Sequence, residues 1–239
     1  NGGAIENRVE GGTIEFSSPN KTEFFVYVPF ALNNLTIKES ATVTTKLYGS
    51  NYPTLYLNGD LRVEDNAKFS TEFDVELGGS LYVGDNSVFS AKSDASGLST
   101  LRLFGAKNST YTDKSKMLQW SNLSVTKSNA KMSIDEDSKI SITGTLHVES
   151  GGLSGSVEFI GDKKQVLVDL SRGMQEIDLI VNNLPETKIY CLLNDEIKDE
   201  IVLQCLYIAR FVGTPITVDV EFECEKVDSY DNTDLALFT

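Results

Sequence analysis

The chain has 239 residues, 40% of them hydrophobic, with 21 Lys plus Arg against 35 Asp plus Glu and a formal charge of −14. That apolar content excludes global disorder, and the acidic balance disfavours nucleic acid and anionic membranes as partners. The longest apolar run, Ile201 to Gly213, is interrupted by Gln204 and Arg210, so no membrane insertion is expected.

The chain opens at Asn1 with neither an initiator Met nor a signal peptide, and is read as a mature or excised form. Residues 1–13 are too polar for a core strand and are expected to form an N-terminal cap or linker. "TIEF" at 13–16 then leads to "NNLTI" at 33–37, and the same order returns as "LRLF" at 101–104 before "SNLSV" at 121–125. A third copy is "VEFI" at 157–160 before "IDLIV" at 177–181. Phe16 to Leu35, Phe104 to Leu123 and Ile160 to Leu179 are each 19 residues apart. Four glycosylation sequons begin at Asn20, Asn34, Asn108 and Asn122. Asn20 to Asn108 and Asn34 to Asn122 share one offset of 88 residues, which favours a copied turn pattern over a glycan-coated face.

Residues 55–74, "LYLNGDLRVEDNAKFSTEFD", are followed directly by "VELGGSLYVGDNSVFSAKSD". Laid over each other without a gap, they match Leu57 with Leu77, Gly59 with Gly79, Leu61 with Leu81, Val63 with Val83 and Phe69 with Phe89. Asp65-Asn66 also matches Asp85-Asn86. The shared pattern, apolar-x-apolar-x-Gly-x-Leu-x-Val, returns whole at "ISITGTLHV" from Ile140 to Val148, and its first half at "LRLFG" and "VEFIG". Alternation of this kind is a strand signal, and the glycine marks a bend or a close backbone approach.

Strand starts at 14, 35, 55, 75, 101, 123, 140, 157, 179 and near 201 give a period of about twenty residues. The expected fold class is therefore all-β: a parallel β-solenoid (β-helix), right- or left-handed, of about ten coils over residues 14–212, with capped ends. Leu57, Leu61, Phe69, Leu77, Leu81 and Phe89 are its expected interior. Tandem β-sandwiches are the alternative. Within "NDEIKDEIVLQCLYIARF", 194–211, Ile197, Ile201, Cys205 and Ile208 also fit helical spacing, in competition with the strand the repeat places near Ile201. Residues 213–239 alternate and then turn acidic, as a C-terminal strand or cap with a tail. Cys191, Cys205 and Cys224 lack close metal or redox spacing and are read as buried small side chains or one disulfide plus a thiol.

The Phe/Ile-Gly element followed by "NLTI" or "NLSV" resembles a repeat of secreted bacterial surface proteins, notably of Bacteroidota, in which "F-x-G-x-x-x-Q" precedes "F-x-N-L-x-I-N". The third copy is nearest, with Ile160, Gly161 and Gln165, then Leu179, Val181 and Asn182; Lys21 and Ser109 stand where the first two copies would carry the Gln. The resemblance implies an extracellular or cell-surface adhesin-like or structural module and specifies no ligand.

Solenoids also carry polysaccharide lyases and hydrolases, so a carbohydrate-active protein of tail-spike or lyase type is the second reading. A self-assembling fibre or coat subunit, associating through the rod ends, is the third. Lyase and hydrolase chemistry needs converging carboxylates with an Arg, His or Ca²⁺ nearby. Asn232-Thr233-Asp234 matches a pectin-hydrolase tripeptide only in letters, and the single histidine, His147, is pointed outward by alternation. No catalytic residues and no cofactor are therefore expected. A Ca²⁺ bridging Asp65 and Asp85 is the one metal reading weighed, against ordinary Asp-Asn turn chemistry. Binding of a surface glycan or protein is expected along a side strip, with Tyr56, Arg62 and Tyr82 as its candidate residues.

Overall fold

A computed structural model describes residues 11–26, 31–47, 54–93, 97–161 and 165–169, and five further strands between Glu176 and Cys224, with side chains as far as Leu167. It is all-β with no helix among these residues: parallel strands stack into a β-solenoid of about six turns. Each coil has three sides, so the stack has three ladders.

The first ladder runs through Thr13–Phe16, Asn34–Ile37, Leu61–Val63, Leu81–Val83 and Ser109–Asp113, and then the end of Leu123–Ile134. The second takes Lys21–Val26, Thr42–Leu47, Lys68–Thr71 and Val88–Ser93, and the same side continues with Gln119–Trp120, Lys139–Ile142 and the end of Thr145–Phe159. The third takes Ala31–Leu32, Leu55–Leu57, Val75–Leu77, Leu101–Gly105 and the start of Leu123–Ile134. It continues through the start of Thr145–Phe159 to Gln165–Asp169.

Alternation decides the filling. Leu61 sits on Leu81, Leu57 on Leu77 and Phe69 on Phe89, each pair twenty residues apart, and all six side chains are buried. Stacked at about 4.8 Å, such rows exclude water from both neighbours, and each buried Leu or Phe contributes roughly 1.5–3 kcal/mol. Farther along, Trp120 meets Phe89 edge-on, with ring centroids 5.7 Å apart, and pairs with Ile142, which pairs with Phe159.

The glycine of the repeat has a specific cause. A Cβ on Gly59 would lie 2.0 Å from Asn34 Oδ1, and one on Gly79 would lie 2.2 Å from Asp60 Oδ1. Those oxygens accept the next backbone N–H, Asp60 N at 2.8 Å and Ser80 N at 2.7 Å. Asn122 repeats the arrangement beneath Gly144, accepting Thr145 N at 2.9 Å. An Asn or Asp of one coil thus braces the corner of the next, and only glycine leaves it room. Asn34 and Asn122, two of the sequon asparagines, serve the stack in this way.

The sequence frame needs correction in three places. The 19-residue spacings are not the register: Ile14 pairs with Leu35, Leu101 with Leu123 and Val157 with Val181. Nor are ten strand starts ten coils, because 35 and 55 open two sides of the same coil. The segment 194–211 does hold a strand at Ile201, in Glu196–Leu203, and a second in Tyr207–Thr214, but these run antiparallel to Thr187–Leu193 and Glu176–Asn182 instead of joining the parallel stack. Thr217–Cys224 adds a further antiparallel strand. The parallel stack therefore ends in hairpin pairing at its C-terminal side. Residues 1–10, residues 225–239 and the cysteine side chains lie outside the described residues.

Candidate functional site

The first and third ladders each present an outward row. On the first it reads Thr36, Arg62, Tyr82 and Thr112, in direct register. On the third it reads Ala31, Tyr56, Glu76 and Arg102. The expected strip of Tyr56, Arg62 and Tyr82 is therefore divided. Arg62 and Tyr82 are brought together, while Tyr56 belongs to another side, because residues 58–60 turn the corner between them. Tyr56 stacks instead on Phe104, with ring centroids 4.8 Å apart. The Phe104 ring reaches across the intervening coil because that coil has Gly78 there.

Around Tyr82 the chain assembles a charged cluster. The Arg62 guanidinium lies over the Tyr82 ring, 4.0 Å from its centroid, and Lys114 Nζ approaches to 5.7 Å. Glu64 anchors one end, with Oε1 2.9 Å from Lys38 Nζ and 3.5 Å from Arg62 Nε, while Oε2 accepts Glu39 N at 3.1 Å. The hydrogen bond from Lys38 holds the Glu64 carboxyl below its usual range and raises the Lys38 ammonium in turn. Arg62 is thus fixed by stacking and by Nε, and its two terminal nitrogens have no protein acceptor among the described residues.

The Asp-Asn pairs form the corner between the first and second ladders. Asn66 and Asn86 take positive φ angles of 60° and 54°, a conformation Asn tolerates better than most residues. Asp65 Oδ1 accepts Asp85 N at 3.0 Å and lies 3.5 Å from the Tyr82 hydroxyl. The Asp65 carboxylate is therefore occupied in joining coils. Among the described residues no three His, Cys, Asp or Glu side chains converge as metal ligands.

One coil farther on, the same corner carries a longer loop that the sequence reading did not single out. Asp113 is buried, its Oδ1 accepting the Ser115 hydroxyl at 2.6 Å and Lys116 N at 3.2 Å, and its Oδ2 accepting Leu118 N at 3.3 Å. The loop so held puts Lys116 at φ 57° and leaves Met117 67% exposed. Only the register exposes it: Asp113 lies beside Val83, where the ladder calls for an apolar residue, thirty residues on and outside the twenty-residue repeat.

His147 faces outward on the third ladder, 3.7 Å from Glu149, whose carboxylate accepts Ser124 Oγ at 3.3 Å. The serine thus bonds the acid and not the imidazole, which is not the order of a nucleophile and its base. Among the described residues no helix is long and apolar enough to cross a membrane. Compared with known proteins, the chain matches no family model, no curated protein and no solved structure.

Proposed function

We propose that this chain is a non-catalytic, adhesin-like β-solenoid module of the cell surface or extracellular space, binding a glycan or protein along one side of the rod. The observation that carries the reading is the first-ladder row. Its inward neighbours Ile14, Leu35, Leu61, Leu81 and Tyr111 are all apolar or aromatic, while the outward positions change in charge and size from Glu15 to Thr36 to Arg62 to Tyr82. Variation at positions not needed for stacking, combined with an aromatic ring and a preorganised guanidinium, is what a binding surface requires, and weak contacts on successive coils add along a flat face. The motif resemblance to secreted surface repeats points the same way. The test is a glycan-array and surface-protein screen of the purified chain, repeated with Tyr82→Ser. The reading requires a ligand whose binding the substitution weakens while the melting temperature stays within a degree or two; a ligand indifferent to Tyr82 defeats it.

A second reading, self-association through a rod end, is favoured by Ile14. It occupies the inward row directly beside Leu35 yet is 38% exposed, while Leu35 is buried. Sedimentation of the full chain tests this, and a monomer at all accessible concentrations removes it.

A further inference from the structure

We infer that the corner loop 114–117, together with Arg62 and Tyr82, forms a recognition site for an acidic polysaccharide, a sugar chain bearing carboxylate or sulfate groups. This rests on the side-face reading above and adds to it the chemical class of the ligand.

The charge along the corner is the starting point. Successive coils place Glu39, then Glu64 and Asp65, then Asp85, and beyond the loop Asp135, Glu136 and Asp137 at this edge. Lys38 offsets Glu39 in the first of these, and the intervening coil carries Lys114 and Lys116 against the buried Asp113 alone. In a chain of net charge −14 such a reversal is a local feature, and the loop that makes it is built rather than loose. The buried Asp113 carboxylate spends both oxygens on it, accepting from Ser115, Lys116 and Leu118. Lys116 is held in a left-handed conformation that a side chain of its kind rarely adopts, a strain that the three Asp113 bonds maintain.

The neighbouring acids are largely committed. Glu64 is tied to Lys38, Arg62 and Glu39 N, and Asp65 to Asp85 N. Asp85 reaches Lys114 only at 4.0 Å. The terminal nitrogens of Arg62 and the ammonium of Lys116 have no acceptor among the described residues and are open to an incoming anion. Arg62 and Lys114 lie two coils apart, about 10 Å along the rod, with Tyr82 between them. That is a row of cations for an extended anion, with a fork suited to bidentate carboxylate or sulfate at one end.

The class of chain follows from the backbone. A peptide laid on a sheet gains affinity by pairing with an open strand edge. Here Leu61–Val63, Leu81–Val83 and Ser109–Asp113 are each paired on both sides, leaving no edge. Recognition falls to side chains alone, and hydroxyl, guanidinium and ammonium groups suit a polyhydroxylated acidic chain.

The test uses the full chain with three sugar probes of matched length, an oligogalacturonate, a heparin-derived oligosaccharide and a cello-oligosaccharide, and a poly-glutamate peptide as a fourth, titrated by calorimetry at low and at high salt. The first two separate carboxylate from sulfate as the acidic group. At least one acidic probe should bind, the neutral probe should not, and salt should weaken the complex by screening. Arg62→Ala, and separately the pair Lys114→Ala with Lys116→Ala, should each weaken binding by about tenfold, the loss of roughly one charge-assisted hydrogen bond. All these side chains are exposed, so circular dichroism should show unchanged melting. Acidic-probe binding that is indifferent to these substitutions overturns the inference, as does an equally tight complex with a poly-glutamate peptide. Neutral-probe binding lost with Tyr82→Ser would overturn the acidic class while leaving the side-face reading intact. If none of the three sugars binds, the inference falls and the protein-ligand arm of the earlier screen still decides the broader reading.

Discussion

The side-chain oxygen of Asn34 occupies the space that a Cβ on Gly59 would need, 2.0 Å away, and from there accepts the N–H of Asp60 at 2.8 Å. The pair fixes a corner of the solenoid across adjacent coils. Gly59→Ala should therefore push the carboxamide out and press on Asn33 O, which lies 2.8 Å from the same point. The expected cost is about 1–3 kcal/mol, as for other overpacked sites. Asn34→Ala alone should cost about 1 kcal/mol for the lost hydrogen bond. Combined, the two should destabilise by less than their sum, since either one already removes the brace. Urea unfolding of the three variants measures this, and strict additivity would mean that the brace is not shared.

The interior rows give a second expectation. Leu77 lies between Leu57 and Leu103 on the third ladder, and all three are buried. Leu77→Ala leaves a void that neighbours above and below cannot both fill, so it should cost about 2–5 kcal/mol. An effect under about half a kcal/mol in chemical unfolding would place the row elsewhere.

Glycan occupancy supplies a third. Asn34 and Asn122 spend their side-chain oxygens on the N–H groups of Asp60 and Thr145, whereas Asn20 is exposed and does not bridge coils. In a secreted, glycosylating expression host, Asn34→Gln should lower stability whether or not sugar is attached, and Asn20→Gln should change it by less than about 0.5 kcal/mol. Thermal melts of enzymatically deglycosylated samples check this. Equal effects at the two sites would remove the structural role assigned to Asn34.

The solenoid was legible in the chain because a stacked coil must put an apolar residue above an apolar residue. Residues 55–94 have no insertion between copies, and there the sequence offset of twenty is also the structural register. Elsewhere the pattern misleads. "LYLNGDLRV" bends from the third ladder to the first, while "ISITGTLHV" bends from the second to the third. Any side of the coil asks only for alternation, so one motif serves different corners and does not say which. That is why Tyr56 and Tyr82 seemed to share a strip. The contact of Arg62 with Tyr82 followed from register alone and could be read; the loop at 114–117 depends on a buried carboxylate and could not.

Lys127 shows a signal that alternation contained. Leu123 and Val125 point inward, and the next inward position is a lysine. It is fully buried, its Nζ donating to Gly78 O at 2.9 Å and to Lys107 O at 3.2 Å. Burial pulls its pKa down from 10.5 to about 8, against a smaller opposing pull from Asp60. The unfolded chain therefore binds this proton more tightly than the folded one. Between about pH 8 and the unfolded value near 10.4, the unfolded state carries more charge here, so stability should rise with pH across that window and level off below it. The integrated gain is on the order of 3 kcal/mol. The Tyr111 hydroxyl, buried and raised well above its usual range, acts in the opposite direction, and only where an unfolded tyrosine ionises, above about pH 10. Between pH 7 and 9.5 free thiols and the α-amino group also ionise, so the contribution of the lysine is read as the difference between the wild-type chain and Lys127→Met. Lys127→Met should abolish the rise and also leave two carbonyls without their donor, a cost of about 1–3 kcal/mol at pH 9.5. Urea unfolding midpoints at four or five pH values decide the matter. A difference in stability between the wild-type chain and Lys127→Met that does not grow with pH over this range would show that the ammonium does not carry the effect.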